Sequence, residues 1–506
     1  MENTKTIENT PIKPANLILK ILSFVVPIIL LAVAATTIFN NDFWYDEAWS
    51  IEMARHSIGD ILRIDAMDVH PPLYYIILNI GNLLLGGLFG GNLIITGKLV
   101  SFIPYVIAVL LGFTIIRKRY GDLTAFFFNV FILGMPNMIK YSVEIRMYSW
   151  SMLFVLLAFL QFSKIASETE VKIKNVILLA LFSVLASYTF YFAFIACIVL
   201  YITLIIVCLV KGEKPRTLKA LISFVASLVL YIPWLPKFFS LLANKGEHSW
   251  MEQFTEESFK ETLRFPFENE GFLQYVFVAI GLIAVANAVM LFTQKKYDAL
   301  VGFIALYGTV IIGVVLSLLI RPIFIARYMM CGMACLWLGI AISIANLTNQ
   351  TLKYILLVVC ILLSAYNLNN FIEEEKEKTE IAEKTVQILK DNVTPDTVIV
   401  DNHGQLHYVI ASLFPNNETN LVYSAANDDT WRTDEASKEV YSLCKIADYE
   451  NTSPLQKLKG QGKRILIIDT NDNLNRAVYN EGWELKHLDF HRLGEYWFHI
   501  YMVERT

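Results

Sequence analysis

The sequence predicts a polytopic α-helical membrane protein that ends in a small α/β domain. Of its 506 residues, 55% are hydrophobic and only 17% are charged. The mean hydropathy is +0.49, which lies outside the usual range of soluble globular proteins. Beyond residue 370 the long apolar runs stop, and short strand-like and helix-like segments alternate. We therefore divide the chain into a membrane domain, 1–370, and an α/β domain, 371–506.

Apolar runs long enough to cross a bilayer recur along the membrane domain. A span needs roughly 20 mostly apolar residues. The run at 21–39 lacks the small-residue exit of a cleaved signal peptide, so we interpret it as the first transmembrane helix. With it, eleven spans are predicted: 21–39, 97–116, 122–139, 147–163, 175–188, 192–210, 218–239, 272–293, 299–320, 328–346 and 353–370.

The segment "PPLYYIILNIGNLLLGGLFG", at 71–90, is apolar enough to be a twelfth span. Lys and Arg prefer the cytoplasmic side of a membrane. If 71–90 does not cross, the basic loops 117–121, 164–174, 211–219 and 294–298 all share the side of the N-terminus. We therefore interpret 71–90 as a juxtamembrane or re-entrant segment.

The resulting topology is that of a multi-pass protein of the cell (plasma) membrane. The N-terminus is predicted to be cytoplasmic and the C-terminal domain extracytoplasmic. The outer face then carries a first outer loop at 40–96 and three shorter segments at 140–147, 239–271 and 321–327.

The C-terminal domain is predicted to begin with a charged helix that leaves the bilayer, "EEEKEKTEIAEKTVQILKD". Strands are predicted at 396–401, 420–423, 464–470 and 497–504, with a helix at 404–414. No glycine-rich phosphate loop opens any of its helices, so a nucleotide site is weakly supported.

Charge and cysteine content narrow the classes of function. The formal net charge of −4 gives no reason to expect nucleic acid as a partner. The six cysteines are scattered, without a CxxC pair or histidines at metal-like spacing. We interpret them as buried fillers of the apolar core.

The stretch "FWYDEAWS", at 43–50, places Asp46 and Glu47 among aromatic residues directly after the first span. Two acids at a helix end are often merely solvated. The same outer loop, however, continues through Asp65, Asp68 and His70 before a Pro-Pro turn. Polar groups gathered among aromatics at a lipid-water boundary are typical of a binding site.

Two further outer segments add charges of both signs. "KYSVEIRMY" carries Glu144 and Arg146, and "IRPIFIARYM" places Arg321 and Arg327 at a membrane boundary. Burying a guanidinium group there is costly unless the group pairs with an acid or binds an anion. Facing carboxylates and arginines suit group transfer from a lipid phosphate, since arginine clamps the phosphate and a carboxylate takes the proton of an attacking hydroxyl.

The motifs "WYDEAWS", "HPPLYY" and "SVEIRMYSWSML", in that order and spacing, resemble the first and second outer loops of a known family. It is the protein O-mannosyltransferase-like family, glycosyltransferase family 39, in its bacterial members. That family belongs to the GT-C superfamily, which also includes the aminoarabinose transferases of lipid A. The resemblance covers 40–330, and no motif of the family covers the C-terminal domain.

The resemblance implies a GT-C-like fold and a membrane glycosyltransferase of the hexosyltransferase type that acts on the outer face. Its donor would be a sugar on a polyprenyl-phosphate carrier in the bilayer, and its acceptor a hydroxyl of a protein, lipid or glycan. Displacement at the sugar carbon would be a single inverting step. No cofactor is implied, and no divalent ion is expected to be essential.

The resemblance also assigns roles residue by residue. The acidic pair of the family carries over onto Asp46 and Glu47, with Asp46 as the base that activates the acceptor. The substrate-binding positions carried over are His70 in the His-Pro-Pro segment and Glu144, Arg146 and Tyr148 in the second-loop motif. The charge argument and a general habit of GT-C enzymes add Arg327 and Tyr328 as contacts of the lipid phosphate.

Three alternatives stay open at this point. A metal could bind at His56, Asp65, Asp68 and His70, although their spacing matches no metal motif. A solvated loop or a substrate-facing histidine is the preferred interpretation. A transporter or lipid flippase would also have many spans, but the acids here gather at one surface and the spans show no internal repeat. A receptor that binds through its outer domain without catalysis is the third.

Overall fold

The structure is a computed structural model, and it describes residues 14–243, 253–268, 272–414, 420–423, 435–444, 446–447, 458–459 and 462–505. Everything said below of the architecture concerns these residues. Parts of the predicted outer segment 239–271 lie outside them, namely 244–252 and 269–271.

The chain up to residue 392 is helical. In chain order the helices are α1 (Pro14–Ala34), α2 (Tyr45–Met53), α3 (Ile58–Asp65), α4 (Leu73–Leu85), α5 (Leu93–Leu111), α6 (Arg117–Tyr120), α7 (Asp122–Gly134), α8 (Pro136–Val143), α9 (Tyr148–Ser167), α10 (Ile173–Thr189), α11 (Tyr191–Val210), α12 (Lys214–Tyr231), α13 (Leu235–Ala243), α14 (Glu256–Arg264), α15 (Phe272–Thr293), α16 (Asp298–Leu319), α17 (Met330–Ala345) and α18 (Gln350–Asn392). A π-helical turn joins α5 to α6, and a 3-10 turn at Ala326–Met329 leads into α17.

The protein is a multi-pass membrane protein. Within the described residues, nine helices are long and apolar enough to span a membrane, or ten if the bent pair α7 and α8 forms one span. The predicted span 175–188 is α10, a helix of 17 residues at the short limit for crossing. The segment 71–90 forms another short apolar helix, Leu73–Phe89.

The predicted span at 122–139 is bent rather than one straight helix, and its two halves are long enough to span a membrane only together. The helix breaks at Met135, and α7 and α8 meet at an angle of 64°. Pro136 occupies the start of α8, and Met135 has the extended backbone (φ −86°, ψ 138°) that a following proline favours. The predicted outer segment 140–147 is therefore helical as far as Val143.

The centre of the bundle is α17, which is buried throughout between α7, α9, α15 and α16. It crosses α16 through two glycines. A Cβ on Gly302 would lie 2.3 Å from the carbonyl oxygen of Cys335, and one on Gly339 would lie 2.6 Å from that of Ala299. Small residues at such crossings let two membrane helices approach closely.

The cysteine prediction is confirmed. All six cysteines are buried and free: Cys197, Cys208, Cys331, Cys335, Cys360 and Cys444. Five lie on membrane helices, as small apolar residues of the core do.

The longest helix, α18, connects the two parts of the chain. Its 43 residues run without a break across the predicted boundary at 370. At 1.5 Å per residue the helix is about 65 Å long, roughly twice the thickness of a bilayer core. Its charged C-terminal half therefore projects beyond the membrane and leads into the C-terminal sheet.

The C-terminal part is a six-stranded sheet with flanking helices. Its strands are β1 (Thr397–Asp401), β2 (Asn420–Tyr423), β3 (Ile446–Ala447), β4 (Arg464–Asp469), β5 (Glu484–Leu493) and β6 (Tyr496–Arg505), and its helices are α19 (Gly404–Leu413), α20 (Glu435–Val440) and α21 (Asn473–Asn480). The strand order is β3-β2-β1-β4-β6-β5. The first four pair in parallel, and the β5–β6 hairpin joins antiparallel. The four predicted strands are present, whereas the largely polar β5 and the two-residue β3 were not predicted.

The helices beside the sheet, α19 and α20, pack on α2 and α3 of the first outer loop. The ring of Tyr45 lies 5.9 Å from that of Tyr408 on α19, and Trp49 lies 6.2 Å from Tyr441. The imidazole Nε2 of His56 donates to the carbonyl oxygen of Val440 at 2.8 Å. The C-terminal domain is thus in direct contact with the helix that carries Asp46.

The glycine crossing gives a first prediction. We expect Gly302→Ala to destabilise the protein by about 1–3 kcal/mol, because the new methyl group meets backbone rather than a flexible side chain. Thermal unfolding in detergent measures the effect. Gly87→Ala is the matched control, since a Cβ there has no atom within 4 Å. An equal unfolding temperature for the two variants would contradict the close crossing.

Candidate active site

Three segments meet at the candidate site. The first is the start of α2, where Asp46 and Glu47 occupy the first turn. The second is the bend at 144–147 after α8, and the third is the turn Ala326–Met329 before α17. Acids in the first turn of a helix are favoured by its dipole, so the local sequence explains why this acidic pair stands at a helix start.

Asp46 lies between two arginines. Its Oδ2 atom is 3.4 Å from Nη2 of Arg327 and 3.9 Å from Nε of Arg146. Nη1 of Arg146 also donates to the Asp46 carbonyl oxygen at 3.2 Å. The Asp46 side chain is 18% exposed, more than that of the buried Glu47, and its carboxylate lies between two cations.

Glu47 has different surroundings. It is buried, and its Oε1 accepts from the backbone N–H of Ile145 at 2.9 Å. Its Oε2 accepts from the N–H of Trp44 at 3.2 Å. Burial raises the pKa of Glu47 to about 7, against the opposing charge of Lys98. Glu47 therefore ties the first outer loop to the bend after α8 and does not face the arginines.

His70 lies on the other side of Arg146. Nη2 of Arg146 donates to Nε2 of His70 at 2.6 Å, and Nη1 lies 3.3 Å from the hydroxyl of Ser50. Burial and the adjacent Arg146 lower the pKa of His70 to about 3. The imidazole is thus neutral, and its unprotonated Nε2 fixes the orientation of the guanidinium group.

Glu144 is the second buried acid near Asp46. Its Oε1 atom is buried and makes no hydrogen bond within the described chain. Burial raises the pKa of Glu144 to about 8, Glu47 adds to the rise, and Arg327 opposes it. Near neutral pH this carboxyl group is mostly protonated and offers a hydrogen-bond donor.

Aromatic side chains line the same region. Tyr148 and Tyr328 both pack on Phe190, with ring centroids 5.9 and 5.2 Å from it. The Tyr148 hydroxyl is buried and makes no hydrogen bond within the described residues. The Arg327 guanidinium lies 5.3 Å from the ring centre of Trp44, a cation–π distance.

A cavity of about 820 Å³ opens beside this cluster. Trp44, Glu47, Glu144 and Arg327 form one end of its lining. The rest of its lining includes residues of α8 and α14, the start of α15, the stretch of α18 around Tyr366–Lys378, and the turn between β5 and β6. It joins a charged site to two membrane helices, which suits a ligand with a polar head and an apolar chain.

The four residues weighed as metal ligands are not assembled as such. Within the described part of the chain, no three His, Cys, Asp or Glu side chains come close enough to hold an ion. His56 bonds to Val440 instead. Asp65 is buried, and neither of its oxygens makes a hydrogen bond with the described residues, so burial raises its pKa well above the usual value.

Two charged residues next to the site, Lys98 and Asp42, were not predicted from the sequence. Lys98 is buried on α5, and its Nζ donates to the carbonyl oxygen of Asp42 at 2.8 Å. Asp42 is itself buried against Arg492 of the C-terminal domain. A lone lysine inside a predicted span is the signal that could have identified this pair, since such residues are costly and usually have a function.

Comparison with known proteins identifies the fold. No family model and no curated protein matches the chain. Among solved structures, ArnT from Cupriavidus metallidurans superposes in its apo state with a TM-score of 0.59 and 12% identity, over 95% of this chain and 97% of ArnT. The same ArnT bound to undecaprenyl phosphate gives 0.62 and 12%, over 96% and 97%.

A lower likeness is found with the archaeal oligosaccharyltransferase AglB from Archaeoglobus fulgidus, at a TM-score of 0.46 and 10% identity over 92% of this chain and 71% of AglB. ArnT matches over nearly all of both chains. The predicted fold is confirmed: this chain shares the fold of ArnT.

Proposed function

We propose that the protein is a membrane glycosyltransferase that moves a sugar from a polyprenyl-phosphate carrier to an acceptor hydroxyl. The observation that carries the proposal is the partly exposed carboxylate of Asp46, held between Arg146 and Arg327 beside a cavity walled by membrane helices. The GT-C fold supports it, since the ArnT structure of the same fold has undecaprenyl phosphate bound.

In this proposal Asp46 is the general base. It takes the proton of the acceptor hydroxyl while the hydroxyl oxygen forms a bond to the anomeric carbon of the sugar. The bond from that carbon to the lipid phosphate breaks, and the phosphate leaves with the electron pair. Arg327, at the cavity, and Arg146 stabilise the charge that develops on it.

The other site residues hold these groups in place. Glu47 keeps the first outer loop against the bend after α8, and His70 orients Arg146. Glu144 is protonated near neutral pH and donates a hydrogen bond to the polyprenyl-phosphate sugar. Tyr148 and Tyr328 contact the phosphate or sugar beside Arg327.

The orientation in the membrane is part of the proposal: N-terminus cytoplasmic, site and C-terminal domain outside. Its support is a cluster of basic residues at the helix ends away from Asp46. Arg119 donates to the carbonyl oxygen of Ser163 at 2.6 Å, and Lys211 to that of Ala166 at 2.7 Å. This basic end is the cytoplasmic one by the positive-inside rule.

The narrower assignment follows the resemblance in the sequence. We propose a hexosyltransferase of the protein O-mannosyltransferase-like kind, on the motifs around Asp46, His70 and Glu144. Its partners are the polyprenyl-phosphate sugar, membrane lipids and a hydroxyl acceptor on a protein, lipid or glycan. The main competing function is a transporter or flippase, which would move a lipid without breaking its bond to the sugar.

The role of Asp46 gives the principal test. A panel of radiolabelled polyprenyl-phosphate sugars is incubated with membranes that contain the wild type or Asp46→Asn. We expect the wild type to move label out of the lipid fraction and release the carrier phosphate. We expect Asp46→Asn to be at least about 100-fold slower, because general bases contribute rate factors of this order.

The control for Asp46→Asn is Asp60→Asn, which alters an exposed aspartate of the same outer loop. It should match the wild type, and all three proteins should share one unfolding temperature. Full transfer by a folded Asp46→Asn contradicts the assignment of the base. Lipid movement across liposomes without release of label would favour the flippase.

The raised pKa of Glu144 predicts a pH dependence of donor binding. Below about pH 8 the carboxyl group is neutral, and above it the carboxylate repels a bound phosphate. The affinity for undecaprenyl phosphate should therefore fall about three- to tenfold from pH 7 to pH 9, since an added unit charge at the site acts at short range. The lipid phosphate is already mostly dianionic over this range, because the second pKa of a phosphate monoester is about 6.

Glu144→Gln should remove most of this pH dependence, because an amide does not ionise. Binding is measured as the dissociation constant for undecaprenyl phosphate in detergent micelles at each pH. Glu383→Gln, on an exposed face of α18, should behave as the wild type does. If Glu144→Gln keeps the steep fall in affinity between pH 7 and pH 9, the group that titrates is another one.

A further inference from the structure

The turn between β5 and β6 contacts the first outer loop four residues before Asp46. The backbone N–H of Gly494 donates to Oδ1 of Asp42 at 2.7 Å, and the guanidinium of Arg492 forms an ion pair with Oδ2. Asp42 is 8% exposed. A buried carboxylate of the membrane domain thus has both its oxygens bonded to the C-terminal domain.

The approach at this turn requires a glycine. Gly494 has φ +59°, and a Cβ at this position would lie 2.5 Å from the carbonyl oxygen of Phe43 and 3.0 Å from Cα of Trp44. Glycine alone meets both conditions without strain. The turn therefore packs on the backbone at 43–44 itself.

Asp42 is also held from the membrane side. Its backbone N–H donates to Oδ1 of Asn40 at 2.7 Å, and its carbonyl oxygen accepts from Nζ of Lys98 on α5. Nδ2 of Asn40 in turn donates to Oε2 of Glu375 on α18 at 2.5 Å. Residues 40–42 thus join α5, α18 and the β5–β6 turn at one point.

The contact continues to the candidate catalytic residues. The N–H of Trp44 donates to Glu47, and Glu47 accepts from the N–H of Ile145. The indole of Trp44 lies next to the guanidinium of Arg327. A shift of the backbone at 42–44 would therefore move two groups of the site. One is the carboxylate of Glu47, which bonds to Ile145, and the other is the indole ring of Trp44 beside Arg327.

The turn is also part of the cavity wall. Arg492, Gly494 and Glu495 line the same cavity as Glu144 and Arg327. The C-terminal domain contributes residues to the site, so its effect on the site is direct.

From these contacts we propose that Asp42, Arg492 and Gly494 are positioning residues for glycosyl transfer, and that the β5–β6 turn must be docked on the first outer loop for Asp46 to act. This inference rests on the proposed function. The C-terminal domain is then a component of the active site whose removal or displacement leaves Asp46 present but misplaced.

The test compares glycine variants at the two ends of β5. Gly494→Ala forces the turn away from Phe43. Gly482→Ala is the matched control, since Gly482 has φ +80° but no atom within 4 Å of a Cβ. We expect Gly494→Ala to lower kcat at least about tenfold with KM for the donor nearly unchanged, because a misplacement of about 1 Å can cost up to ~100-fold.

The ion pair is tested by graded substitution. Arg492→Gln should lower kcat as Gly494→Ala does, and Arg492→Lys should recover part of the loss because it keeps a cation for Asp42. A merely structural role would lower the unfolding temperature of the variants and leave kcat per folded molecule intact.

A second readout does not depend on activity. Hydrogen exchange, followed by mass spectrometry, reports the peptide amides at 42–50 and 144–148. Gly494→Ala and Arg492→Gln should speed exchange in both segments, since Glu47 bonds the N–H of Ile145, whereas Gly482→Ala should not.

Unchanged exchange in both segments overturns the inference, as does faster exchange with wild-type kcat. If the wild type itself consumes no donor, the proposed function fails, and exchange alone decides whether the turn positions the loop.

Discussion

The site depends on the pairing of opposite charges at the edge of a membrane. Asp46 comes from α2, Arg146 from the bend after α8 and Arg327 from the turn before α17. Each of these groups would be costly to bury alone, because a charge in a region of low dielectric loses its hydration. The pairing of these charges therefore helps to hold the three segments together, and it leaves the Asp46 carboxylate partly exposed between the two arginines.

The neighbouring acids have distinct roles because their surroundings differ. Glu47 is adjacent to Asp46 in sequence, yet successive residues of a helix point about 100° apart, so it turns into the core and bonds to Ile145. Glu144 lies where burial outweighs the nearby arginine, and its pKa rises to about 8. The three acids of the site thus differ in what they can do. Asp46 faces two cations, the buried Glu47 holds two segments together, and Glu144 is mostly neutral and can donate a hydrogen bond.

The fold was largely predictable where composition and periodicity decide it. The apolar runs, the change of composition near residue 370 and four strands of the sheet all follow from the sequence. Pro136 carried the signal for the break in the third run, but the length of that run outweighed it in our prediction. Strand β5 was missed because its face is mostly exposed and its residues are polar, so hydrophobic alternation cannot reveal it.

The sequence by itself determined that the chain crosses a membrane many times, that a C-terminal α/β unit follows, and that acids, a histidine and arginines gather in the loops of one face. Only the tertiary structure decided which of these side chains meet. Arg327 lies 281 residues after Asp46 in the chain, and Arg492 reaches Asp42 from the far end of the protein. Such contacts depend on how helices pack and where the sheet docks, which local sequence patterns do not encode.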